Sequence, residues 1–188
     1  FAYTQSDEIS ILITDFDTPM TDSFFGFRLC KMQSLIAAMA TAKFNQMYAK
    51  LANDYPDKFN MKEYPTCTFD CKVWTVPNAN DAYAWFLYRQ TDCIKNSKAQ
   101  TAQAYLSHKS LVGLTSDEMI IKLKDEKDID WNQFENGKKY GRVIKKVETP
   151  MEKDLPNGEH ISFVRNVWTP VSANDLKEDN TIIRELII

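Results

Sequence analysis

Asp7 and Glu8 are adjacent carboxylates at the mouth of a β-branched apolar run, Ile9-Ser10-Ile11-Leu12-Ile13-Thr14. Side chains alternate faces along a strand, so a regular strand aims only one of these acids into a given site; a turn here relaxes that limit. A carboxylate at a strand end suits Mg²⁺, which takes a few carboxylate oxygens together with phosphate oxygens and water. The plainer reading is two solvated acids ending a strand. Arg28 and Lys31 stand three apart, on neighbouring positions of one helical face. Such a pair could clamp a triphosphate, arginine by bidentate hydrogen bonds and lysine as a point charge, or be a solvated basic face. Lys72 lies two positions from Asp70, on the same face of a strand, where a surface ion pair is the ordinary reading. Arg89, Asp92 and Asn96 form one polar stripe of a helix. A buried network and the wall of a site are both open for it. Asp15 and Asp17, just before Pro19, read as a turn.

Other chemistries are excluded by what is missing. His108 and His160 are the only histidines, so a multi-histidine metal site is ruled out. There is no Walker-type loop and no dinucleotide glycine fingerprint, which leaves phosphate binding to side chains and non-glycine backbone. Cys67 and Cys71 have no second Cys/His pair to complete a zinc site. They are expected to be buried thiols, and with Cys30 and Cys93 they are too scattered for a disulfide scaffold. The default compartment is a reducing cytoplasm. Lys and Arg number 23 against 26 Asp and Glu, a net charge of −3, so any polyanion must meet a local basic patch.

The elements that must position these residues follow from periodicity. The 188-residue chain is 44% hydrophobic, enough for a folded domain, and no apolar run approaches the ~20 residues of a membrane helix. Residues 9–14 read as a buried strand. Leu29, Met32, Ile36, Met39, Met47 and Leu51 keep a helical period across 25–53, with Leu29, Met32 and Ile36 facing the core. Residues 69–76 read as a strand closed by Pro77, and a second long helix, capped by Asn78 or Asn80, spans 81–108. Thr115-Ser116-Asp117-Glu118 has the spacing of a capping box and starts a helix running to about Asp125. Residues 141–147 and 161–168 read as strands joined through Pro156-Asn157-Gly158, and a last short helix spans 176–186. The order describes an α+β domain with helices on a small sheet.

Four blocks occur together and in register: Phe1-Ala2-Tyr3-Thr4-Gln5-Ser6-Asp7-Glu8, then Phe24-Phe25 leading to Lys31, then Phe69-Asp70-Cys71-Lys72-Val73, then Tyr88-Arg89-Gln90-Thr91-Asp92 with Asn96. In these the chain resembles the histidine-tRNA guanylyltransferase family, especially its bacterial, archaeal and phage guanylyltransferase-like branch, from Phe1 to about Val147.

The resemblance implies a polymerase-palm, ferredoxin-like core with a C-terminal hairpin and helix extension, dividing at 1–147 and 148–188. It implies addition of nucleotides to a tRNA 5′ end in the 3′-to-5′ direction with ATP and GTP and two Mg²⁺ ions, in a homotetramer. Asp7 is then a catalytic carboxylate and metal ligand, and Glu8 the adjacent catalytic acid. Ser6, Asp7, Arg28, Lys31, Lys72 and Asn96 are the nucleotide and triphosphate contacts. Lys72 stands where the family usually has arginine. Ile94, Lys95 and Ser97 depart from a His-Ile-Asn-Asn motif of which Asn96 remains, favouring a tRNA-repair-like role. The family also carries a metal-binding aspartate upstream of the position matching Phe1. The expectation is therefore a longer natural protein, a strand from another chain, or no activity alone. The alternatives are a non-catalytic RNA- or nucleotide-binding module of the same fold and a palm enzyme making a signalling nucleotide.

Overall fold

The computed structural model describes residues 1–14, 20–59, 66–179, 181 and 183–184. The acid pair Asp15 and Asp17 lies outside the described residues. The chain divides into two compact units, Phe1–Leu12 with Val76–Ile188, and Ile13–Thr75.

The first unit is built on a four-stranded antiparallel sheet of order β2-β1-β3-β4. Strand β1 (Ala2–Gln5) and strand β2 (Glu8–Ile11) form a tight hairpin in which Gln5 faces Glu8, leaving Ser6 and Asp7 as a two-residue turn. The buried strand expected over 9–14 is instead the short second arm of a hairpin, ending at Ile11 and with Ile9 and Ile11 exposed, because β2 is the edge of the sheet; the first arm is the Ala2–Gln5 segment. Strands β3 (Arg142–Asp154) and β4 (His160–Ser172) pair along their whole length, and β3 joins the sheet by pairing Arg142–Ile144 with Thr4–Ala2. Both strands run longer than their apolar patterns, because the ladder continues out to the Leu155–Glu159 turn. There Gly158 takes the left-handed φ of +86°.

Helix α2 (Ala79–Tyr105) packs on the sheet through Phe86, which meets Tyr3, Val143, Ala173, Leu176 and Ile183 in the main core. Its N-terminus is capped by Asn78, whose side chain accepts the Asp81 N–H. A second cluster joins the end of α2 (Ala102, Leu106) to α3 (His108–Leu111) and α4 (Ser116–Lys127) through Leu111 and Leu123. The expected capping box is present: Thr115 accepts the Glu118 N–H, and Glu118 accepts from the Thr115 N–H at 2.7 Å. Helix α5 (Asn136–Lys139) precedes β3. The expected last helix starts later than 176: residues 176–178 form a turn, where the Glu178 and Asp179 N–H groups donate to the Asp175 carbonyl, and of residues 180–186 only Thr181, Ile183 and Arg184 are described, all helical.

The second unit is dominated by α1 (Leu29–Asp54), preceded by a 3-10 turn over Phe24–Phe27. Met32 is buried as expected, but Leu29 is exposed, because it is the first helical residue. Residues 69–76 form no ladder. Alternating exposure explains the strand reading, yet the backbone there is held by side chains of α1: the Phe69 N–H donates to Thr41 Oγ1 at 2.9 Å. Asn45 brackets Cys67 in the same way, accepting its N–H and donating to its carbonyl. Cys67 and Cys71 are half-buried rather than buried, and all four cysteines are free.

Candidate functional site

The β1–β2 turn sets the geometry of the first candidate group. Ser6 takes a φ of +40°, a left-handed value that an L residue adopts only under constraint. Its hydroxyl donates toward Asp7 Oδ1 at 3.0 Å and Gln5 Oε1 at 3.1 Å. The turn separates the roles of the two acids. Asp7 is exposed at the tip and makes no ion pair among the described residues. Glu8 points back along the hairpin, where its Oε2 accepts from Gln5 Nε2 at 2.7 Å and pairs with the Arg89 guanidinium.

Arg89 resolves part of the polar stripe on α2. It is largely buried, pairs with Glu8 and with Asp92 at 3.2 Å, and lies over the rings of Trp85 and Tyr88. Arg89 and Asp92 are therefore a structural network tying α2 to the hairpin. Asn96 leaves that network. With Ser6 it lines an open pocket of about 430 Å³ in the first unit. The sequence reading did not join Asn96 to Lys138 and Arg142, which line the same pocket. Periodicity does not show that approach, since it depends on Gly137 and Gly141 around α5. A Cβ on Gly141 would sit 2.6 Å from the Tyr3 hydroxyl and 2.8 Å from the Thr4 carbonyl, at a φ of +80°.

Arg28, Lys31 and Lys72 belong to the second unit. Arg28 occupies the N-cap position of α1 rather than a helical one, and Lys31 sits in the first turn with its ammonium over the Phe25 ring. The first turn of α1 holds no acidic residue. Two cations at the positive end of a helix dipole repel it, and an anion there would relieve them. Just before Arg28, Phe25, Gly26 and Phe27 are all left-handed, a strained entry that sequence periodicity does not reveal. Lys72 is exposed, and among the described residues it forms no ion pair with Asp70.

Two buried groups beneath the hairpin are held neutral. Burial, with the neighbouring Cys93 thiol, pushes the Tyr3 phenol far up, and its hydroxyl donates to the Tyr140 carbonyl at 2.8 Å. Burial also raises the Cys93 thiol. Neither is available as a nucleophile at neutral pH.

Among the described residues no group of three or more His, Cys, Asp or Glu side chains converges on a point. The Asp7 carboxylate fits as one oxygen donor to a hydrated Mg²⁺, but the described residues do not fit a two-ion centre, because Glu8 is committed to Arg89 and Gln5. No helix among the described residues is long and apolar enough to cross a membrane.

The family model of tRNAHis guanylyltransferase (Thg1) matches residues 1–77. A bacterial tRNA(His) guanylyltransferase-like protein solved in complex with ATP is similar at 34% identity and a TM-score of 0.78, over 100% of this chain and 70% of that one. Another solved with GTP is 29% identical with a TM-score of 0.70, over 99% of this chain and 68% of that one. A protein of Acanthamoeba polyphaga mimivirus is 23% identical over 161 residues, and the chain spans about half of its length, 54%. With four blocks of residues in register from Phe1 to Asn96 and a likeness of that depth to a solved member, the chain belongs to the histidine-tRNA guanylyltransferase family.

Proposed function

We propose that the protein adds nucleotides to the 5′ end of a tRNA in the 3′-to-5′ direction, using ATP and GTP. The observation that carries this reading is the β1–β2 turn, which presents the Asp7 carboxylate while the Arg89 pair holds Glu8 in place. Asp7 supplies one carboxylate to Mg²⁺; such an ion, when bound, neutralises charge on the transferring phosphoryl group. Glu8 is the adjacent acid required for activity. Ser6 and Asn96 contact the nucleotide, and Arg28, Lys31 and Lys72 its triphosphate. Lysine in place of the family's usual arginine at position 72 gives a single charge where a bidentate grip would otherwise stand. The protein works in the cytoplasm as a homo-oligomer, a tetramer by the family's habit, with its C-terminal hairpin and helix, 148–188, as an extension of the catalytic part.

In the test, labelled nucleotide is incorporated into a tRNA lacking its first 5′ residue. Asp7→Ala should lower incorporation by about 10²-fold or more while leaving the circular dichroism spectrum unchanged, as expected when a group acting on the transition state is lost. Incorporation equal to wild type would overturn the assignment. A second reading, a nucleotide- and RNA-binding module without turnover, is favoured by the single uncommitted carboxylate of the described hairpin. Binding of nucleotide with no incorporation by the wild-type protein would decide for it.

A further inference from the structure

The open pocket of the first unit has a one-sided charge. Lys138 and Arg142 line it together with amides and hydroxyls of α2 and β1, and no Asp or Glu is among its lining residues. Among the described residues neither cation forms an ion pair. The Arg142 guanidinium leans on the Gly137 carbonyl at 3.4 Å, an approach that depends on position 137 having no side chain. A Cβ there would meet Arg142 Cζ at 2.9 Å. The segment carrying Lys138 is pinned to α2, because Ser97 Oγ donates to the Lys138 carbonyl at 2.8 Å and accepts from the Trp131 indole at 3.0 Å. The frame is therefore fixed, and neither cation has a carboxylate partner among the described residues. The side-chain amides of Asn96 and Gln100 also line the pocket, and no hydrogen bond of the chain engages them among the described residues.

Two cations without a carboxylate partner beside free amide donors, with no acid among the lining residues, recognise an anion that has several acceptor oxygens. A phosphate meets that description, taken bidentately by arginine and as a point charge by lysine. We propose that this pocket binds a substrate phosphate group, with Arg142 and Lys138 as its charged ligands and Asn96 and Gln100 as amide donors. The inference rests on the nucleotide-transfer reading for the two sources of that phosphate: a nucleoside triphosphate, or the 5′-phosphate of the RNA.

Binding by the whole chain is measured with two probes, ATP by calorimetry and a 5′-phosphorylated RNA hairpin, beside its 5′-hydroxyl twin, by fluorescence anisotropy. Arg142→Gln combined with Lys138→Gln should weaken the relevant probe about tenfold or more, the size expected when charge-assisted hydrogen bonds to phosphate are lost. Weakening with ATP assigns the pocket to the triphosphate. Weakening confined to the phosphorylated hairpin assigns it to the RNA 5′ end. Gly137→Ala, which keeps both charges and displaces the guanidinium, should weaken the same probe and serves if the double variant does not fold. Wild-type binding that survives both sets of changes overturns the pocket alone. A wild-type chain that binds neither probe overturns the pocket and the nucleotide-transfer reading together.

Discussion

Ser6 holds a left-handed backbone, φ +40°, at the turn beside Asp7. That conformation costs an L residue about 1–2 kcal/mol, part of which glycine gives back through its looser unfolded chain. Ser6→Gly should therefore raise stability by about 0.5–1 kcal/mol in a denaturant titration, while weakening nucleotide binding through loss of the hydroxyl. Lower stability with unchanged binding would contradict both roles given to this residue. Much at this scale was legible in the sequence. The Asp7-Glu8 pair and the Arg89, Asp92, Asn96 stripe stand out because residue type and spacing are local properties. The division of labour within them was not, since Arg89 meets Glu8 only across the fold. Lys139 shows the opposite failure. In sequence it is one of two adjacent lysines with nothing to set it apart, but its ammonium donates to the Asn132 carbonyl at 3.0 Å and lies over the Trp131 and Tyr140 rings, and the side chain is buried.

Elements fixed by nearby residues were readable, and those fixed by distant partners were not. The capping box of α4 spans four positions, so its pattern is complete in the sequence. Thr115→Ala should cost about 1 kcal/mol, the usual loss for a hydroxyl N-cap. The same box has a pH signature. Hydrogen bonds from the Thr115 backbone and side chain hold Glu118 below its ordinary value of 4.5. A carboxylate depressed by folding contributes stability above its unfolded value and loses it as pH falls through the folded one. The stability gap between wild type and Thr115→Ala should thus be full at neutral pH and shrink below about pH 4.5, followed by thermal melting. A gap that widens with acid would contradict the assignment. Residues 69–76 mark the other case. Their alternation suits a strand, but a strand needs a partner, and here α1 takes up the start of the stretch instead, Thr41 accepting the Phe69 N–H and Asn45 holding Cys67 just before it.

Across the whole first unit, one buried amide joins three distant pieces. Gln90 on α2 donates to the carbonyls of Tyr140 and Asn174 at 3.1 and 2.8 Å and accepts the Leu176 N–H at 2.7 Å. Its neighbours Phe86 and Cys93 are apolar, so the sequence shows it only as one polar residue in a helix. Gln90→Leu strands the Asn174 carbonyl and the Leu176 N–H, while Tyr140 keeps the Tyr3 hydroxyl, and should cost about 2 kcal/mol or more, seen as a lower denaturation midpoint; a change within error would show that water replaces the amide. The α+β order was legible because long periods and a hairpin turn signal survive without tertiary context. The pairing of β1 with β3, which turns the late hairpin into half of the sheet, was not, since antiparallel partners so far apart leave no local mark. The central claim concerns where a nucleotide goes. The protein is incubated with labelled GTP, Mg²⁺ and a tRNA missing its first residue, and the position of the label is read by selective digestion from each end. The account predicts an RNA one nucleotide longer, labelled at its 5′ end and formed only when the tRNA is present. Label at the 3′ end, or a small labelled product made without RNA, would contradict it.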